Sequence, residues 1–134
     1  MIIADTSFLA AYAVLRDQNH GRAEKLFQEV FGEKHGKVLV PDAVFYEAMT
    51  VVFARTKSLK AATDFGKRLL DSSSIVFGEQ TLLDSSFEIF SNQRGTKLSF
   101  ADCMLVALAR TLGVEKIATF DSEFKKVPGI TVID

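Results

Sequence analysis

Four acidic residues stand out because the sequence around them is apolar. Asp5 follows the run MIIA, and Asp121 follows KIATF near the carboxyl end. Glu47 and Asp102 are each the only charge in a stretch of twelve residues. A buried carboxylate without a partner costs several kcal/mol or takes up a proton, so each acid needs a cation, a cap or water. Carboxylates that share one site favour Mg²⁺ or Mn²⁺, and such ions can activate water for phosphodiester hydrolysis.

Each acid also has a simpler explanation when it is considered alone. Asp5 or the adjacent Thr6 can cap the helix that begins after MIIA. Ser99 followed by Asp102 matches the S-x-x-D capping pattern. Glu47 lies in the middle of a predicted helix, where capping is impossible, and its alternative is an ion pair with a buried arginine. These alternatives stay open from the sequence.

The rest of the chain alternates short apolar strands with amphipathic helices. Strands are predicted at 1–4, 37–40, 74–77, 116–120 and 130–133. Helices are predicted after Thr6 and at 19–35, 43–57, 58–72, 80–94 and 98–112. This order predicts an α/β protein in which a mostly parallel sheet of four to five strands is covered by helices on both faces. A length of 134 residues fits a single domain, 1–134.

The predicted sheet brings the four acids towards one edge. In open parallel sheets, ligands bind outside the carboxyl ends of the strands. Asp5 and Asp121 follow strands, Asp102 begins the helix before the fourth strand, and Glu47 lies one turn into the helix after the second. Capping alone is a poor explanation for four acids at one crevice. Because like charges raise one another's pKa, a divalent cation is expected there, and phosphodiester hydrolysis is the predicted chemistry.

The composition argues against several classes of protein. A hydrophobic content of 48% with twelve Phe excludes disorder. No apolar run reaches the roughly 18 residues of a membrane span, and the first residues do not resemble a signal peptide, so a cytoplasmic protein is predicted. The single cysteine, Cys103, is expected to be a small buried hydrophobe. A net charge of −1 means that a polyanion must be held by local cations and metal ions.

Four short motifs resemble a known family. MIIADTS, PDAVFYEAM, LSFADCMLVALA and ATFDSEF occur in an order and spacing that resemble the PIN domain across essentially the whole chain, especially its VapC-like toxin ribonucleases. The resemblance implies a three-layer α/β/α PIN-like fold and a Mg²⁺- or Mn²⁺-dependent endoribonuclease. It also implies the toxin of a toxin-antitoxin pair, a homodimer, and a small antitoxin protein that covers the site.

The same resemblance suggests a role for each acid. Asp5, Glu47, Asp102 and Asp121 correspond to the acidic quartet of the family, which holds one or two metal ions. Asp5 and Asp102 are expected to be the principal ligands, with Asp121 bound directly or through water. Glu47 is expected to bind a second metal or to position the attacking water. Many relatives place the last acid immediately before the Phe of ATFDSEF, so Glu123 is the alternative to Asp121.

Neighbouring residues are candidates for supporting roles. Three hydroxyls are expected to hydrogen-bond the acids or to cap helices: Thr6, Ser7 and Ser99. Four basic residues flank the motifs and are predicted to hold RNA phosphates at the rim: Arg94, Lys97, Lys125 and Lys126. The helix at 58–72 is predicted to face inward through Leu59, Ala62, Phe65, Leu69 and Leu70. Four phenylalanines could form dimer or partner surfaces, although core packing is predicted for most of them: Phe27, Phe31, Phe53 and Phe65.

Two other functions compete with ribonuclease activity. One is a PIN-like module that binds RNA or protein without turnover. Such a module could retain the acids, but the loss of any one acid would be clearer evidence for it. Aspartyl-phosphate chemistry is the other alternative. Haloacid-dehalogenase phosphatases need a second Asp two residues after the first, where this chain has Ser7, and receiver domains usually carry an early acidic pair that MIIADTS lacks.

Overall fold

The computed structural model describes residues 1–32 and 34–134. The strands are β1 (Ile2–Ala4), β2 (Val38–Pro41), β3 (Ser74–Val76), β4 (Lys116–Ala118) and β5 (Thr131–Ile133). The helices are α1 (Thr6–Ala13), α2 (His20–Phe31), α3 (Asp42–Thr56), α4 (Leu59–Ser72), α5 (Gln80–Ser91) and α6 (Phe100–Leu112). A short 3-10 helix, Ser122–Lys126, lies between β4 and β5. Each predicted strand and helix is present, and only position 33 of the predicted helix at 19–35 lies outside the described residues.

The five strands form one sheet in the order β3-β2-β1-β4-β5, and every neighbouring pair is parallel. Ile3 of the central strand lies opposite Leu39 on one side and Ile117 on the other. From β1 the chain first builds outward through β2 and β3, and later returns to the other side of β1 as β4 and β5. The carboxyl ends of β1 and β4 therefore flank the switch point, where parallel sheets form their ligand crevice.

The buried residues explain why these elements form. Strand β1 is buried on both faces, as expected for a strand in the middle of a parallel sheet. Helix α6 buries six of its residues, Cys103 among them, and ends at Gly113, whose φ of 65° favours glycine. The helices flank the sheet: α1 packs on α2 and α3, α3 on α4, and α5 on α6. The three-layer α/β/α prediction is thus confirmed.

One prediction about an apolar face is wrong. In α4, Ala62, Phe65 and Leu69 are buried, but Leu59 is 69% exposed and Leu70 is 55% exposed. Both lie to the side of the stripe by which α4 packs on α3. Core packing is found for most of the four phenylalanines: Phe65 is buried and Phe27 stacks on Phe31 against the core, whereas Phe53 is 49% exposed. None of the helices in residues 1–32 and 34–134 is long and apolar enough to cross a membrane.

Candidate active site

Asp5 lies at the junction of β1 and α1. Its backbone N–H donates to the carbonyl of Ala118 in β4, which holds the two strand ends together. Its side chain is only slightly exposed, and its Oδ2 accepts hydrogen bonds from Ser7 Oγ and Thr119 Oγ1, both at 2.7 Å. Oδ2 also accepts the Ser7 backbone N–H at 3.4 Å, so Asp5 caps α1. Oδ1 takes no part in these three bonds.

Asp102 and Glu47 are each positioned by one neighbouring residue. The Ser99 backbone N–H donates to Asp102 Oδ2 at 2.7 Å, and the Asp102 N–H donates to Ser99 Oγ at 3.1 Å. The capping box is therefore present. Glu47 Oε2 accepts a hydrogen bond from Thr6 Oγ1 at 2.8 Å. The alternative of an ion pair is not found for Glu47 within residues 1–32 and 34–134.

Asp121 and Glu123 have different surroundings. Asp121 Oδ1 accepts the Glu123 N–H at 2.8 Å at the start of the 3-10 helix, and the Asp121 N–H donates to Thr119 Oγ1 at 3.0 Å. Glu123 Oε1 accepts from Lys126 Nζ at 2.5 Å, and its Oε2 accepts the Lys97 N–H at 2.8 Å. The hydrogen bond from Lys126 is the main reason why the pKa of Glu123 lies below its usual value. Both oxygens of Glu123 are thus occupied by these neighbours.

A cleft of about 410 Å³ brings the acidic quartet together. It is lined by Asp5, Glu47, Asp102 and Asp121, and Glu123 does not line it. Each of the four carboxylates is held through one oxygen, while its second oxygen stays out of the bonds described above. In the part of the chain that the structure describes, no three His, Cys, Asp or Glu side chains are arranged, as they stand, to hold a metal ion.

Burial and the charges of neighbouring carboxylates make Asp5 and Asp102 harder to ionise. Burial raises the pKa of Asp5, the hydrogen bonds from Ser7 and Thr119 oppose this effect, and the charge of Asp102 adds to it. Burial also raises the pKa of Asp102. Its hydrogen bonds with Ser99 lower the pKa, and the charges of Asp121 and Glu47 raise it further. The quartet is an electrostatically coupled group, which a bound cation would stabilise.

The structure adds residues that the sequence analysis missed. Thr119 is fully buried and contacts Asp5, Ser7 and Asp121 through one hydroxyl. The only indication of this role in the sequence was that Thr119 supplies a single hydroxyl within the mostly apolar segment KIATF. Arg55 also lines the cleft, where its Nη1 lies 2.6 Å from Asp17 Oδ2. One indication of this position was present in the sequence: Arg55 lies eight residues, about two turns, after Glu47 on the same helix.

A comparison with protein families identifies the chain. The model of the PIN domain family matches residues 2–130. The chain belongs to the PIN domain family. None of the curated protein sequences matches it.

Two solved structures share the fold of this PIN domain. VapC20 from Mycobacterium tuberculosis, described as a Sarcin-Ricin loop cleaving toxin, superposes with a TM-score of 0.82, at 24% identity over 94% of both chains. PAE2754 from Pyrobaculum aerophilum superposes with a TM-score of 0.67, at 20% identity over 98% of this chain and 87% of its own. At 24% and 20% identity, the two comparisons show a shared fold and nothing more.

The four basic residues predicted to contact RNA do not line the acidic cleft of the PIN domain. Arg94 and Lys126 line a second cavity. Lys97 is exposed and contacts Glu123 through its backbone N–H. Lys125 pairs with Asp134 at 2.7 Å. Their contact with RNA stays a prediction.

We expect Thr119→Val to destabilise this PIN domain by about 2 kcal/mol, because the buried Asp5 carboxylate and the Asp121 N–H each lose a hydrogen-bond partner. Valine and threonine have nearly the same side-chain volume, so the lost free energy of unfolding would come from the hydrogen bonds and not from packing. The pKa of Asp5 should rise further, because one of the hydrogen bonds that lower it is gone. Urea denaturation and a carboxyl NMR titration would measure the two effects.

Thr131→Val is the matched control for this substitution, because Thr131 lies exposed in β5. It should change the free energy of unfolding by no more than about 0.5 kcal/mol. Equal effects of the two substitutions would show that the Thr119 hydroxyl does not hold the junction of β1 and β4 together.

Proposed function

We propose that this PIN domain is a metal-dependent endoribonuclease that hydrolyses phosphodiester bonds in RNA. One observation carries the proposal: four carboxylates line one cleft, each anchored through one oxygen with the other left out of those bonds. Membership of the PIN family and the likeness of the fold to a toxin that cleaves the sarcin-ricin loop support it.

The donor set fits a hard divalent cation. Carboxylate oxygens with no His or Cys favour Mg²⁺ or Mn²⁺. The raised pKa values of Asp5 and Asp102 indicate negative charge that a cation would stabilise. Asp5 and Asp102 would be the principal ligands, Asp121 would bind directly or through water, and Glu47 would hold a second ion or the attacking water. Such an ion would lower the pKa of water, which could then lose a proton and attack phosphorus, and it would stabilise the leaving oxygen.

The neighbouring side chains have distinct roles in this proposal. Ser7 and Thr119 orient Asp5 through Oδ2, which leaves Oδ1 available to a ligand. Ser99 does the same for Asp102 by means of the capping box. Capping and metal binding are therefore compatible, because they use different oxygens of one carboxylate. Arg55 lines the cleft beside its partner Asp17 and would contact an RNA phosphate.

The biological role proposed here is that of a toxin in a toxin-antitoxin pair. The support is the likeness of the fold to VapC20. The partner would be a small antitoxin protein that covers the acidic cleft. The enzyme would act as a homodimer in the cytoplasm.

The test is cleavage of end-labelled single-stranded and hairpin RNA by the purified protein. Cleavage is expected with Mn²⁺ or Mg²⁺ and should stop when EDTA removes the ion. The products should carry no 2′,3′-cyclic phosphate, because water and not the 2′-hydroxyl is the nucleophile. Cleavage that resists EDTA or yields cyclic phosphate would indicate a contaminating ribonuclease. RNA binding without cleavage at any metal concentration would favour the silent binding module.

A further inference from the structure

A second cavity of about 490 Å³ lies beside the acidic cleft and has the opposite charge. Its walls come from α5, the loop after it, α6, and the segment around Val127. Arg94, Arg110 and Lys126 line it, against a single carboxylate, Glu88. The whole protein has a net charge of −1. The cavity therefore has an excess of positive charge that comes from its two arginines, since Lys126 is paired with Glu123.

The cavity and the cleft are neighbours, because two consecutive residues line them. Leu98 lines the cavity, whereas Ser99, the next residue, lines the cleft. Lys97, which precedes Leu98, donates its backbone N–H to Glu123 Oε2. Glu123 Oε1 in turn binds Lys126, which lines the cavity. A strand of RNA that passes over Leu98 and Ser99 would contact the cleft and the cavity at once.

The shape of the cavity is set by internal hydrogen bonds. Gln93 Oε1 accepts from the Leu98 N–H at 2.8 Å and from Thr96 Oγ1 at 3.0 Å, and Gln93 Nε2 donates to the Leu98 carbonyl at 3.0 Å. These bonds fix the loop that carries Arg94. Leu98, Val106 and Val127 are buried and supply an apolar wall.

The charges of the two arginines are available to a ligand. Neither Arg94 nor Arg110 forms an ion pair within the described ranges, 1–32 and 34–134. Both are exposed. A volume of about 490 Å³ also lies within the range of roughly 300–1,000 Å³ that is usual for ligand pockets. Cations together with an apolar wall suit a nucleotide, which combines a phosphate with a largely apolar base.

We propose that this cavity binds a nucleotide of the RNA substrate next to the bond that is cleaved. Arg94, Arg110 and Lys126 would contact its phosphate, and the base would lie against the apolar wall. The assignment rests on the ribonuclease function proposed above. It also answers an electrostatic difficulty: the acidic cleft repels RNA, so the strand needs a cationic site close by.

The first experiment measures RNA binding without metal. A fluorescent ten-nucleotide single-stranded RNA is titrated in EDTA, which removes both cleavage and metal-mediated contacts. Arg94→Gln/Arg110→Gln should raise the Kd about tenfold at 0.1 M salt. It should also reduce the slope of log K against log salt by about 1.4, since each lost phosphate contact on single strands accounts for about 0.7.

The matched control removes two positive charges elsewhere. Lys25 and Lys67 are exposed on α2 and α4 and form no ion pair in the part of the chain described. Lys25→Gln/Lys67→Gln should leave the Kd within about twofold of the wild-type value. Arg94→Lys/Arg110→Lys keeps both charges and should keep the salt slope, which covers the case in which the Gln variant does not fold.

A second measurement tests the place of the base. In wild-type protein, adenosine 5′-monophosphate should shift the NMR signals of the Leu98 and Val127 methyl groups, and inorganic phosphate should not. Equal effects of the two probes would overturn a nucleotide site. If Arg94→Gln/Arg110→Gln binds RNA with the wild-type affinity and salt slope, the nucleotide site is also overturned. Another anionic ligand, such as an acidic protein segment, would then be indicated.

The binding assay separates this inference from the proposed ribonuclease activity. Because all of its titrations are done in EDTA, their outcome does not depend on turnover. If the cavity binds RNA as expected and wild-type protein cleaves nothing with Mn²⁺, the ribonuclease proposal fails and the cavity is a nucleotide site of a binding module. If cleavage occurs and the arginines do not affect binding, the cavity assignment fails alone.

Discussion

Asp102→Asn should lower the rate of Mn²⁺-dependent RNA cleavage about 1,000-fold, and Asp5→Asn should have a similar effect. A factor of 1,000 corresponds to about 4 kcal/mol of transition-state stabilisation, within the several kcal/mol that a metal ion supplies. The asparagine oxygen can still accept the Ser99 N–H, so the capping box and the fold should persist. The amide has lost the negative charge that holds the metal. Single-turnover cleavage at saturating RNA would measure the loss of the chemical step.

The same assay decides which residue is the fourth acid. Asp121 lines the cleft, whereas Glu123 accepts hydrogen bonds from Lys97 and Lys126 outside it. Asp121→Asn should therefore also reduce cleavage strongly. Glu123→Gln loses a surface ion pair, which contributes about 0–1 kcal/mol, and should change the rate no more than about fivefold. A larger loss for Glu123→Gln than for Asp121→Asn would make Glu123 the fourth acid.

The second large effect expected is stabilisation by Mn²⁺. A concentration one hundred times the Kd should add about 2.7 kcal/mol to the free energy of unfolding. For a domain of this size the Tm should rise by several degrees. Asp102→Asn should remove this shift, because the variant lacks a principal ligand. Calorimetry of both proteins with and without Mn²⁺ would measure it.

Without metal, Asp102→Asn should be more stable than wild type at neutral pH. Burial and the charges of Asp121 and Glu47 raise the pKa of Asp102, so its ionised form is unfavourable in the folded state. The neutral amide avoids this cost. The order of the two Tm values should thus reverse when Mn²⁺ is added. Asp71→Asn, an exposed change on α4, is the matched control and should stay within about 0.5 kcal/mol of wild type at all conditions.

The metal-free comparison has a defined dependence on pH. The pKa values of Asp5 and Asp102 are higher in the folded than in the unfolded protein, where they are about 4. Between these values the folded state binds more protons, so wild-type stability should fall as the pH rises through that interval. The advantage of Asp102→Asn should accordingly vanish at low pH. A variant less stable than wild type at every pH would show that Asp102 acts mainly as a cap.

Local patterns were sufficient to predict the elements of this PIN domain. The apolar runs at β1 and β2 are short and bounded by polar or turn residues, and the helices carry clear periodicity, so each element follows from its own residues. The alternation of strand and helix then restricts the sheet to a parallel one, because parallel strands need a crossover. The same reasoning placed Asp5, Glu47, Asp102 and Asp121 at one edge, where the structure has them lining one cleft.

Contacts between distant residues were decided only by the tertiary structure. Thr119 reaches Asp5 across 114 positions, and no local pattern encodes such a contact. Whether Leu59 and Leu70 are buried depends on where α4 meets α3, not on their hydrophobicity. Capping and ligand binding looked like competing roles for Asp5 and Asp102 because a sequence does not distinguish the two oxygens of a carboxylate. In the folded chain the two oxygens differ, because one accepts the hydrogen bonds from fixed neighbours and the other takes no part in those bonds.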